Sequence, residues 1–257
     1  MNTVLEFAGS SIVDKEIISL LDNYRLLPQF LSEMIIEHYI DSFSCTDEEI
    51  DIAYKQFRQQ RRIITDEELQ SWLESNYMTL KQFKDLTKRK LKIEKFKQAN
   101  WRNQVDSYFY QRKRQLDRVI YSMIQTFDEG LAAELYFRIK EEEESFSKLA
   151  REYSQGLNNK TGGLIGPVEL GNCPITLANI LLSSQAGQVN FPIRNGKTVV
   201  IVRLEKFIPA QLDLQTRQRL LDELFKNWLQ KQVKQLYATN ISSSKNIIGL
   251  SESMPKN

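Results

Sequence analysis

The sequence predicts an α+β protein in which a helical domain is interrupted by a smaller block with a mixed β-sheet. Three observations predict it. Three Thr-led helix starts lie close together between Thr46 and Gln82. The texture turns strand-like after Leu116. An amphipathic helix then returns at Leu214, carrying an apolar stripe that nothing beside it in sequence can cover.

The elements follow in order. Residues 3–7 alternate apolar and polar as a short strand does, and Gly9-Ser10-Ser11 reads as a turn. From Ile12 to about Ser44 the pattern is helical, with Ile17, Leu20, Leu21, Tyr24, Phe30, Leu31, Met34 and Ile35 as its apolar members, and Pro28 separates two helices. Thr46-Asp47-Glu48-Glu49, Thr65-Asp66-Glu67-Glu68 and Thr79-Leu80-Lys81-Gln82 each read as a capping box. In such a box the Thr hydroxyl takes a free amide proton and the residue three on reaches back to the Thr amide. The third box opens a long helix towards Asn100. Arg118 to Ile124 reads as a strand, and Thr126-Phe127-Asp128-Glu129 starts a helix over roughly 128–153. A glycine-rich loop, a short helix near 175–183 and two strands follow, joined by a hairpin at Asn195-Gly196. The helix from Leu214 to about Tyr237 closes the pattern. The expected domains are 1–115 plus 212–238 (helical), 116–210 (sheet) and 239–257 (a loose Ser/Asn/Lys-rich tail).

Composition narrows the function classes. The chain is 41% hydrophobic and 26% charged with a formal net charge of +2, an ordinary globular balance that gives no global attraction to nucleic acid or membrane. Its charge is unevenly placed: residues 1–80 hold 6 Lys/Arg against 15 Asp/Glu, and residues 81–114 hold 12 against 3. The basic stretch 81–114 interleaves Trp101, Tyr108, Phe109 and Tyr110, a texture that could track a phosphate backbone. Its helical spacing favours a solvated charged face with aromatics packed inward, and attraction to the acidic segment within one helical domain also accounts for the asymmetry. No nucleic-acid partner is expected. Glu141 to Glu144 reads as a solvated run. Two distant cysteines, Cys45 and Cys173, and a single histidine, His38, form no metal cluster, so no metal or cofactor is expected. The first residues have neither the basic start nor the apolar core of a secretory leader, and no apolar run is long enough to span a bilayer. The expected location is cytoplasmic.

One ordered set of motifs stands out. Phe146-Ser147-Lys148-Leu149-Ala150-Arg151-Glu152-Tyr153-Ser154 is followed by Gly162-Gly163-Leu164-Ile165-Gly166, then by Ala186-Gly187-Gln188-Val189, and finally by an apolar strand from Gly196 to Glu205. This set resembles the parvulin-type prolyl isomerases, over about 90 of the 257 residues. The flanks, with Thr46-Asp47-Glu48-Glu49-Ile50 and the helix at 214–237, resemble bacterial foldases of the SurA and PrsA kind. That resemblance implies a helical chaperone domain with an inserted parvulin-like domain, and a C-terminal helix that packs back on the N-terminal helices.

It also implies a site. Turning an X-Pro bond means crossing a rotational barrier of about 18–20 kcal/mol. A site that favours the twisted amide grips proline in an apolar pocket and aims a few polar groups at it. The positions matching the family's pocket are Ile165, Cys173 and Leu177. The family's first histidine is matched by Ser122, ahead of Met123-Ile124. Its Cys or Asp is matched by Gln155 or Gly156, and its second histidine falls within Thr198 to Val200. The polar half of the site is thus largely lost, leaving Ser122 as the candidate catalytic residue. The resemblance implies a foldase that binds unfolded, proline-containing polypeptide. The alternative is a non-catalytic interaction module for one dedicated partner, with the basic helix as its docking face.

Overall fold

All three Thr-led starts close their capping boxes in the computed structural model, which describes residues 3–7, 10–13 and 16–251, with side chains over 16–238. Thr46, Thr65 and Thr79 each accept the amide proton of the residue three on at 3.2 Å. Glu49, Glu68 and Gln82 accept back from the Thr amides at 2.8–3.0 Å. These boxes begin α3 (Asp47–Arg61), α4 (Asp66–Ser75) and α5 (Leu80–Trp101). Ahead of them lie β1 (Thr3–Phe7), β2 (Ser10–Val13), α1 (Ile17–Asn23) and α2 (Leu27–Ile40), with Pro28 in the first turn of α2, where a missing amide costs nothing. The expectation that Ile12 opens a helix and that Ser10 and Ser11 form a turn is corrected, because these residues pair with β1 as an antiparallel strand. Gly9 lies outside the described residues.

Two compact units result, one from the chain up to Val105 and from Arg217 onward, the other from Asp106 to Thr216. In the helical unit, Phe57, Trp72 and Phe83 pack with Leu69 and Leu73 into one cluster. A second cluster gathers the long helix α10 (Leu214–Ser251): the Trp228 ring lies 4.9 Å from Tyr39, 5.1 Å from Phe96 and 5.7 Å from Trp101. The stripe expected to need a partner finds it on α2 and α5. The charge asymmetry resolves in the same unit. Arg89 of the basic stretch bridges Glu33 and Glu37, and Lys95 reaches Glu49 at 2.7 Å. Lys97, 5% exposed, is held by the carboxylates of Glu94 and Asp222. The backbone of α10 runs on to Ser251, where a loose tail is expected; no proline intervenes to stop it. Residues 252–257 lie outside the described residues. Among the described residues no helix is long and apolar enough to cross a membrane.

In the sheet unit, α6 (Val105–Leu116) leads into β3 (Arg118–Thr126), α7 (Glu129–Lys140), α8 (Phe146–Tyr153), β4 (Leu164–Glu169), α9 (Ile175–Ser183), β5 (Val189–Asn195) and β6 (Thr198–Ile208). The strand order is β4-β3-β6-β5 and every pairing is antiparallel, so the expected mixed sheet is corrected. The expected single helix over 128–153 is two, and β4 begins in the stretch expected to be a glycine-rich loop. Strand β3 is antiparallel to both of its neighbours, β4 and β6. The break falls in the carboxylate run, with Glu142 at φ +58° and Ser145 capping α8 through the Lys148 amide. Arg138 and Lys148 both hold Glu144 there. The hairpin closes with Asn195 opposite Thr198, so the two turn residues are Gly196 and Lys197, with Gly196 at φ +64°.

Each face of the sheet carries its own core. Ile124 and Ile201 pack with Leu135, Ile139, Phe146 and Leu149 under α7 and α8. Val119, Tyr121, Val200, Val202 and Leu204 pack with Leu177, Ala178 and Leu181 of α9 on the other face.

Candidate functional site

Ile165 of β4, Cys173 before α9 and Leu177 on α9 come together on the α9 face. Strand alternation places Tyr121 and Met123 of β3 beside them. The group is packed. Leu177 is 5% exposed and Tyr121 6%, while Ile165 and Cys173 are half-buried against the same core. The Cys173 thiol lies 3.8 Å from the Glu169 carbonyl, and burial pushes its pKa up. Burial, with Cys173 adding to it, pushes Tyr121 up to about 12. Both groups are therefore protonated near neutral pH and offer neither a thiolate nor a phenolate.

Ser122 does not belong to this group. In an antiparallel pair, directly opposed residues share a face, and Ser122 opposes Arg203 as Ile124 opposes Ile201. Its side chain therefore stands on the α7/α8 face. It is 4% exposed, and its hydroxyl donates to the Glu205 carboxylate. Glu205 in turn accepts from Arg203 Nε at 2.8 Å, and the Arg203 guanidinium lies 4.9 Å from the centre of the Phe146 ring. A β-bulge brings Glu205 there. Ile120 pairs with Lys206 and Tyr121 with Leu204, so Glu205 is the extra residue. Ser122, matched in sequence to the family's first histidine, thus stands on the face opposite Ile165, Cys173 and Leu177. The residues sequence reasoning missed are Tyr121 and Met123. The available signal was the period-two register from Val119, which the apolar residues on both faces of β3 obscure.

The other matched positions supply little. The Gln155 amide donates to the Gln125 carbonyl at 2.9 Å. Gly156 leads into a turn whose Asn158 side chain binds the Met123 carbonyl. Thr198 donates to the Asn195 carbonyl in the hairpin, and Val199 and Val200 are buried. His38 is exposed on α2, in the helical unit. The α9 face thus presents apolar contact area. Ile175 (74% exposed) and Leu164 (50%) stand at its rim.

The order of these elements matches a known family. Residues 126–206 match the family described as Rotamase, the PPIC-type PPIase domain. The match to this parvulin-type domain falls within the sheet unit. Solved structures similar to the whole chain include the peptidylprolyl isomerase PrsA of Bacillus cereus, 20% identical over 93% of this chain and 92% of that one, with a TM-score of 0.47. Another comes from a study of the SurA-like chaperones PEB4 and Cj1289 of Campylobacter jejuni, 16% identical over the full length of both chains, with a TM-score of 0.37. The parvulin domain of PpiD from E. coli is 29% identical over 39% of this chain and 97% of that one, with a TM-score of 0.33. No curated protein matches the chain.

Proposed function

We propose that this chain is a foldase-like protein that binds unfolded, proline-containing polypeptide, and that its parvulin-type domain holds the client without turning its X-Pro bonds. The observation that carries this reading is the orientation of Ser122: the candidate catalytic residue serves Glu205 on the far side of the sheet. Rotation about an amide is accelerated by groups that interact more strongly with the twisted than with the planar bond. Tyr121 and Met123, which share the face with Ile165, Cys173 and Leu177, supply packing instead. Exposed apolar side chains suit a client-holding role. Leu26, Phe30 and Met34 recur every fourth residue along α2, and Leu164, Ile175 and Phe191 lie on the surface of the sheet unit.

The test pairs two assays on the full chain. Isomerisation of a short X-Pro peptide is expected to proceed at the uncatalysed rate, while aggregation of an unfolded client is suppressed. Acceleration that Leu177→Ala abolishes overturns the non-catalytic reading. Failure to suppress aggregation overturns client binding.

The second reading, a docking module for one dedicated partner, is favoured by a cleft of about 600 Å³ in the helical unit. It is lined by Ile40, Tyr77, Met78 and Leu86 with Lys88 and Lys92 alongside. A single saturable partner, rather than many weak clients, would establish it.

A further inference from the structure

We propose that the α7/α8 side of the sheet unit carries a carboxylate-binding cleft whose recognition group is Arg203, held in place by Ser122 through Glu205. The cleft has a volume of about 580 Å³ and is lined by Arg203, Lys140, Glu142, Ser145, Ser147 and Gly187, among others. It lies across the sheet from the α9 face, so the proposal is independent of what that face binds.

Three observations carry it. First, the guanidinium is contacted on two sides: its Nε–H donates to Glu205 at 2.8 Å, and its central carbon lies over the Phe146 ring, 4.9 Å from the centre. Second, no hydrogen bond or ion pair with the described residues engages its two amino groups, on a side chain only 29% exposed. A guanidinium presents its donors as a rigid fork matched to the two oxygens of a carboxylate, and anchoring Nε aims the remaining pair. Third, Glu205 is positioned by a bulge and by the buried Ser122 hydroxyl, so the orientation is built from the sheet and not from a loop. Glu205 pairs with the guanidinium through Nε, and the two carboxylates lining the cleft add little to that compensation. Glu144 is held by Arg138 and Lys148, which keep its pKa below the ordinary value. Glu142 is exposed on the α7–α8 connection and repels an incoming anion only weakly.

The ligand class is a polypeptide carboxylate, from either a chain end or an acidic side chain. The probes are three short peptides added to the full-length protein at constant ionic strength. One has a free C-terminus, one is the same peptide amidated, and one is amidated with an internal Glu. Binding is read from the Arg203 Nε–H resonance and the Gly187 and Val189 amides. The expected result is a saturable shift with the first or third probe and none with the second; which of the two binds names the source. Arg203→Lys keeps the charge but loses the fork, and should weaken binding at least about tenfold. Ser122→Ala should weaken it roughly threefold and move the Nε–H resonance of the free protein, the signature of a positioning residue. Glu142→Gln, at an exposed position, should tighten binding about threefold. No saturable shift with any peptide, equal binding by Arg203→Lys, or no tightening in Glu142→Gln overturns the assignment.

Discussion

Truncating Leu177 to alanine separates a packed core from an open pocket. Leu177 is 5% exposed and touches the Tyr121, Val202 and Leu181 cluster. A packed leucine truncated to alanine loses its transfer free energy and leaves a cavity, together about 2–4 kcal/mol. A loss near the middle of that range is roughly a hundredfold increase in the population of the opened state. A leucine lining an empty proline pocket has already given up those contacts, and its truncation would cost far less. The assay must report the sheet unit alone. Trp72, Trp101 and Trp228 all lie in the helical unit, so tryptophan fluorescence is the wrong probe. Amide hydrogen exchange at Ile201 and Val202, central in β6, reads opening of the sheet directly. Ile175→Ala, on the same helix but 74% exposed, is the control and should stay within about 0.5 kcal/mol of the parent. Equal, small losses in the two variants would refute the packed reading and restore a pocket at Leu177.

Four further outcomes are expected. Gly166 sits at φ +114°, and a Cβ there would lie 2.6 Å from the Val119 carbonyl oxygen, so Gly166→Ala should destabilise the sheet unit by about 2 kcal/mol or more in the same exchange assay. Thr65→Ala removes the hydroxyl that takes the Glu68 amide and should lower the stability of the helical unit by about 1 kcal/mol, measured by urea denaturation followed through tryptophan fluorescence. Glu68 accepts the Thr65 and Ile64 amides, which hold its pKa below the ordinary value; its contribution to stability is therefore present above the unfolded pKa and lost as pH falls through the folded one, a slope below about pH 4.5 that Glu68→Gln should flatten. Tyr121 has a raised pKa, so it favours the folded state fully below the ordinary tyrosine value near 10, and that contribution is lost between there and about 12; the hydrogen bond to Asp22 raises Tyr237 as well, so ultraviolet titration should show late-ionising tyrosine absorbance that Tyr121→Phe reduces but does not abolish.

Local chemistry was legible in the sequence. The capping boxes at Thr46, Thr65 and Thr79 form as written, because a cap needs only four consecutive residues. Pro28 and Gly196 act where their backbone preferences predict. The ordered motifs from Phe146 to Glu205 gave the sheet unit, since their glycines and apolar runs are tied to particular turns and strands. What the sequence could not decide was which side of the sheet each residue of β3 faces. Val119-Ile120-Tyr121-Ser122-Met123-Ile124 is apolar on both faces because both are covered, so period two has no polar contrast to anchor it. A one-residue error there exchanges Ser122 for its neighbours and moves a hydroxyl from the α9 face to the opposite one. The split of the expected 128–153 helix into two turned on Glu142 taking a left-handed conformation within a run of glutamates. The bulge that brings Glu205 beneath Ser122 arises from the pairing of β3 with β6, and pairing between segments more than eighty residues apart belongs to the tertiary structure alone.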